Sequence, residues 1–386
     1  MLLAKRNVVL LGLIILLQAC TQIDDFMLGK DNTPKPSPLN DLKSKVTLVE
    51  DWSVPMGKAS KASTYLKLKP SIHGDTIYVA NASGMVQAVD KSTGHLIWSK
   101  QLNHNIISGP TVGAGYIAIG TNRSNVVLLR QSDGTELREL KVSGDALSKP
   151  VIANNKVIIK TIDGYLYAFD LKTGEKLWGA EHGSPSLILK ASSSPIIMDK
   201  MILVGFSDGK LDAIDMEGRI VWQRSIAYAS GASDVERLVD IDADPIVRGD
   251  TVYLASYQGY VGALSLMSGQ FTWRKPASVY KNMAIDSNTL YITDSDDVLW
   301  AMDRQNGQIK WKQPALKARG LTEPILLGNR LVVGDRTGYM HVLDTQNGEF
   351  ISRIQLSGPV DISPAVKGNS VYVITANGKL SRFSVS

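Results

Sequence analysis

The chain has 386 residues, 20% of them charged, with 42 Lys+Arg against 37 Asp+Glu and a single cysteine. The formal charge of +5 falls to +3 once Lys5 and Arg6 are set aside, and without a basic run that near balance excludes nucleic acid as the expected partner. With one cysteine there is no intrachain disulfide framework to read.

Lys5 and Arg6 precede the apolar run Val8–Leu17, the charged and hydrophobic parts of an export signal. The stretch from Asn7 to Ala19 is short for a membrane span. It ends in Leu17-Gln18-Ala19-Cys20, which resembles the lipobox of bacterial lipoproteins, with Gln18 an unusual occupant of its position. That resemblance implies cleavage before Cys20, a thioether-linked diacylglycerol and an N-acyl chain such as palmitate. Several chains at about 0.8 kcal/mol per buried CH₂ make a lasting anchor. Thr21, where an aspartate would signal retention, implies sorting to the inner leaflet of the outer membrane, with the rest facing the periplasm. Residues 21–45 are polar, with Pro34, Pro36 and Pro38, and are expected to form a tether. The expected division is therefore 1–19 signal peptide, 20–45 lipidated cysteine and tether, and 46–386 folded domain.

From there the chain repeats. Turn glycines fall at Gly94, Gly134, Gly174, Gly218, Gly269, Gly307 and Gly348, spaced 40, 40, 44, 51, 38 and 41 residues apart. Each closes a variant of Asp-x-x-Thr/Asn-Gly-x-x-x-Trp, as in Asp90–Gly94 with Trp98, Asp170–Gly174 with Trp178 and Asp303–Gly307 with Trp311. Prolines repeat in step at Pro70, Pro110, Pro150, Pro195, Pro245, Pro324 and Pro364, the Met283-Ala284-Ile285 segment standing where one is missing. Eight strand–turn–strand segments follow: Thr76–Asp90, Tyr116–Leu129, Val157–Asp170, Met201–Asp215, Thr251–Leu264, Thr289–Asp303, Arg330–Asp344 and Ser370–Phe383. A period near 40 with four strand signals predicts an all-β, eight-bladed propeller of four-stranded antiparallel blades. The turns carry glycine at Gly84, Gly164, Gly209, Gly259, Gly338 and Gly378, where positive φ is expected. The recurrent tryptophans suit packing between blades. The last unit lacks an outer strand and Thr47–Ser53 lacks a blade, so the two are expected to pair and close the ring.

Chemistry is not evident. His73, His95, His104, His182 and His341 form no metal-ligand spacing. Asp240-Ile241-Asp242-Ala243-Asp244 starts like a calcium loop, but Thr251 stands where the closing glutamate belongs. Asp294-Ser295-Asp296-Asp297 reads as a solvated acidic turn. The repeat itself resembles that of pyrroloquinoline-quinone-dependent dehydrogenases, also eight-bladed. The chain has neither the cysteines for their vicinal disulfide nor the insertions that build a covered pocket. No catalytic residue, cofactor or metal is therefore expected. A quinone-dependent dehydrogenase is the alternative, with a generic envelope protein-binding propeller as the third reading.

Connector length singles out one face. From the tryptophan position to the next proline most units span 12 or 13 residues, but Trp52 to Pro70 spans 18, Trp178 to Pro195 spans 17 and Trp222 to Pro245 spans 23. Insertions in repeat proteins concentrate where partners bind. The first adjacent pair member presents Leu187, Ile188 and Leu189 before Lys190; the second offers Arg237, Asp240 and Asp242. The segments Ser184–Lys190 and Arg237–Asp242 resemble the two hallmark loops of the BamB family, propeller lipoproteins of the outer-membrane barrel-assembly machinery, and Gly144–Pro150 matches as well. The resemblance implies a non-catalytic scaffold, a monomer within a hetero-complex. It would dock on the polypeptide-transport-associated domains of the central barrel component and assist outer-membrane protein folding and insertion. It places contacts at Leu187, Leu189, Lys190, Asp240 and Asp242, to which position adds Arg237. Lys190 stands where the family commonly has Arg, and lysine cannot reproduce a planar bidentate contact. Direct capture of unfolded outer-membrane clients by strand addition is a further expectation, weakened by how few free edges a closed ring offers.

Overall fold

The computed structural model describes residues 34–57, 66–189, 192–229 and 231–385. The signal peptide, Cys20, most of the tether and Lys190 lie outside the described residues.

Eight four-stranded antiparallel sheets form an eight-bladed propeller, and all the regular structure among the described residues is strand. Blade 1 comprises Ser71–His73, Thr76–Ala80, Met85–Asp90 and Leu96–Gln101; six further blades repeat that order, starting at Ile106, Val151, Ile196, Ile246, Ala284 and Ile325. In blade 8 the strands Ala365–Lys367, Ser370–Thr375 and Lys379–Val385 take their outer member from the chain start, Leu48–Pro55. Leu48 pairs with Val385 and Pro55 with Lys379, with a register shift between Glu50 and Trp52. The closing strand is thus where the sequence puts it, extended by two residues through Pro55. Middle strands such as Thr76–Ala80 and Met85–Asp90 are buried on both faces, whereas the outer strand Leu96–Gln101 is mostly exposed. The core therefore lies between neighbouring sheets: one cluster joins Ile374 and Leu380 of blade 8, Val79 and Val89 of blade 1 and Ile119 of blade 2.

Tryptophan and turn glycine are two halves of one contact. Gly307 has φ 72°, and a Cβ there would lie 2.5 Å from the Trp273 ring of the preceding blade. The Trp273 indole N–H donates to Arg304 O at 2.9 Å, fastening the ring to the same turn. Trp98, Trp178, Trp222 and Trp311 make the same bond to Gln131, Met216, Leu266 and Thr345. Trp52 seats on Gly94, so the closing strand locks blade 8 onto blade 1. In blade 2 Arg138 takes the tryptophan's place against Gly174.

Two expectations need correction. Gly259 does not supply positive φ to its turn; Gln258 does, at 48°, as Ser124 and Asp297 do in blades 2 and 6. The acidic turn at Asp294–Asp297 is not simply solvated: Asp297 is buried, 2.5 Å from Lys281 Nζ, and accepts the Gly320 and Leu321 N–H groups.

Ser37–Lys45, read as tether, lies along blade 7 and its connector. Ser37 N–H donates to Lys317 O, Arg353 to Asn40 O and Lys45 N–H to Ile351 O.

Candidate docking face

The connectors between blades leave beside the tight turn of their own blade. His182 N–H donates to Gly164 O, Ile226 to Gly209 O and Met56 to Gly378 O at 2.7–3.0 Å. The three long connectors therefore open on one face of the ring, as their lengths suggested.

The first loop is rooted by His182. Its ring stacks on Phe206 with centroids 3.7 Å apart; Nδ1 lies 2.7 Å from Asp212 and Nε2 3.0 Å from Asp208. Burial opposes charge on this imidazole, but the two carboxylates outweigh it and raise its pKa to about 9. The sequence gives no sign of this cage, because its carboxylates come from the next blade. Beyond the cage Leu187 is exposed and Ile188 and Leu189 are half-buried.

The second loop caps itself. Glu236 accepts from the Ala232 and Ser233 N–H groups, Ser233 Oγ accepts from Glu236 N–H, and Arg237 Nε reaches Gly231 O. This is a capping-box arrangement that holds a tight turn without outside help. Tyr228, Val235 and Arg237 project outward, while Leu238, Val239 and Ile241 turn inward.

The loops meet at Asp240. Its Oδ1 accepts the Leu189 N–H at 3.1 Å; its Oδ2 is buried with no hydrogen-bond partner among the described residues. Burial pushes this carboxyl up to about 6. Asp242 lies deeper. Burial raises its pKa, with the Asp240 charge adding to the shift. Burial conversely lowers the pKa of nearby Lys160, whose ammonium donates to Gly205 O at 2.6 Å.

Leu187, Leu189, Arg237 and Asp240 thus belong to two joined loops, with Leu187 and Arg237 at the surface. Asp240 and Asp242 have relative exposures of 0% and 1%. Direct partner contact through these two carboxylates, as the resemblance implied, does not fit this state. Asp240 touches the backbone of the first loop instead. Asp244, the third aspartate of the calcium-like triplet, is 2.6 Å from Lys67 Nζ. Spacing also missed His104, whose Nε2 lies 3.5–3.6 Å from Glu139 and Glu136. Those two acids lie on the outer strand of blade 2, more than 30 residues along the chain. The buried Arg319–Asp335–His341 group has catalytic residue types but no exposure to a substrate. Asp335 Oδ2 accepts from Arg319 and lies 2.8 Å from His341 Nε2, and Arg353 donates to Nδ1.

Fold and face together define the class: an eight-bladed propeller with enlarged connectors on one face, two of them braced against each other. The family model described as outer membrane protein assembly factor BamB matches residues 44–105, 82–313 and 316–386, and the chain belongs to that family. It is 59% identical over 383 residues to the outer membrane protein assembly factor BamB of Legionella pneumophila (strain Paris), covering 99% of this chain and 100% of the relative. The crystal structure of BamB from Moraxella catarrhalis superposes with a TM-score of 0.80 at 25% identity, over 88% of this chain and 100% of that one. A quinohemoprotein alcohol dehydrogenase from Comamonas testosteroni superposes at 0.70 with 14% identity, over 87% of this chain and 76% of that one, a likeness of fold alone.

Proposed function

We propose that this protein is a non-catalytic scaffold of outer-membrane protein assembly. Leu187, Leu189 and Lys190, with Arg237 at the rim, dock on the periplasmic polypeptide-transport-associated domains of the central barrel component. Cys20 carries the lipid that holds it to the inner leaflet, and Ser37–Ser386 faces the periplasm. Family membership supports the assembly role. The Leu189–Asp240 bond carries the site: a buried carboxylate fixes the backbone beside an exposed leucine, so the ridge is presented in one conformation before a partner arrives. Preorganisation of that kind lowers the ordering cost of association. An apolar centre with a polar rim is the usual anatomy of a docking patch.

In this reading Asp240 and Asp242 position the ridge and do not themselves touch the partner. Leu187→Asp changes only a surface side chain. It is expected to abolish co-purification with the central barrel component while leaving the far-ultraviolet circular dichroism unchanged. Undiminished co-purification would place the docking site elsewhere.

A further inference from the structure

The inner ends of the blades converge on the ring axis. The residues that precede the first strands there are Lys69, Lys149, Asp244, Asn282, Glu323 and Ser363, which all line one cavity of about 370 Å³. The repeat makes these positions equivalent, and the chain has filled them with different chemistry. Most of the charge is internally matched. Lys67 Nζ is 2.6 Å from Asp244, Lys69 Nζ 2.7 Å from Glu323, and Arg336 3.0 Å from Asp361, whose other oxygen is sealed from solvent. Asp244 is further committed, to the Ser194 N–H and the Asn282 amide.

Lys149 is the exception. Its backbone N–H donates to Ser194 Oγ, but its ammonium forms no hydrogen bond or ion pair with any described residue. Burial, then repulsion from Lys69, lowers its pKa to about 8. Ser71 and Ser363 also line the cavity, and their hydroxyls make no side-chain hydrogen bond with described residues. Leu66, Pro70 and Ile72 give it an apolar wall.

We propose that this axial cavity binds a small monocarboxylate with an apolar body, its carboxylate on Lys149 and the Ser71 and Ser363 hydroxyls, its body against Leu66, Pro70 and Ile72. One unmatched cation calls for one negative charge, and the apolar wall favours a carbon chain over inorganic phosphate. A half-buried, charge-assisted contact of this type is stronger than a fully exposed one. The site is separate from the ridge at Leu187 and does not depend on the docking proposal.

The test is isothermal titration of the detergent-solubilised, lipidated chain with hexanoate, acetate and inorganic phosphate. The expected result is saturable one-to-one binding, with hexanoate tightest and phosphate weakest. Lys149→Met weakens hexanoate at least about tenfold. Lys149→Arg retains binding, and Lys45→Met, at an exposed pair with Glu349, leaves it unchanged. No saturable binding of hexanoate or acetate, equal binding by Lys149→Met, or phosphate the preferred ligand would each overturn the proposal. Should Lys149→Met fail to fold, the wild type decides. After reductive ¹³C-methylation the Lys149 resonance, told from that of Lys160 by its loss in Lys149→Arg, is expected to titrate below the exposed lysines and to shift its midpoint upward with hexanoate. A midpoint unmoved by hexanoate would overturn the assignment.

Discussion

Asp240 gives up solvation to hold Leu189, and the consequence is a definite pH dependence. Its folded pKa of about 6 lies above the ordinary aspartate value, so the native state binds this proton more tightly than the unfolded chain. The stabilisation is therefore complete below about pH 4 and is lost as pH rises through about 6. Asp240→Asn keeps an acceptor for the Leu189 N–H but carries no charge. It is expected to stabilise the protein by about 2–3 kcal/mol at neutral pH and by little near pH 4, read from urea denaturation at both. An equal effect at both would show that Asp240 is not buried as a charge. Nothing in Asp-Ile-Asp-Ala-Asp distinguishes this carboxyl from a solvated one, and Asp297 was misread for the same reason. Whether a carboxylate is buried depends on connectors that arrive from elsewhere in the chain, Leu189 for Asp240 and Gly320 with Leu321 for Asp297. Connector length and the family resemblance marked Asp240, not the calcium-like spacing.

At the scale of the blade the repeated unit is a joint as much as a sheet. Each turn glycine has a backbone that side chains rarely adopt, and at Gly94, Gly134, Gly218, Gly307 and Gly348 the space its Cβ would need is filled by a tryptophan one blade earlier. Gly307→Ala combines both penalties; Gly328→Ala, with φ 61° and nothing within 4 Å, carries only the first. Thermal unfolding should show Gly328→Ala costing about 1 kcal/mol and Gly307→Ala about 2–4 kcal/mol. Equal losses would mean that the tryptophan contact contributes little. The glycine period, the tryptophans and all eight strand pairs were legible because each is a local pattern of turn and alternation. That one unit's tryptophan seats on the next unit's glycine was not, because the contact spans a whole period. Arg138 against Gly174 shows that the joint tolerates another long side chain.

For the whole molecule, closure by Leu48–Pro55 makes the disc and fixes which connectors share a face. Connector lengths located that face from sequence, and in the structure two neighbouring long loops join: one supplies the exposed leucine and the other the buried carboxylate beneath it. Outer strands such as Ile220–Ser225 leave Ile220 and Val221 exposed on the rim, an apolar surface of different position. Face and rim are therefore the two surfaces to tell apart. A photo-crosslinking amino acid placed at Leu187 or, separately, at Ile220 in cells making the central barrel component tests it most directly. Strong crosslinking to that component from position 187 and none from 220 is the result predicted. Crosslinking from 220 with none from 187 would contradict it.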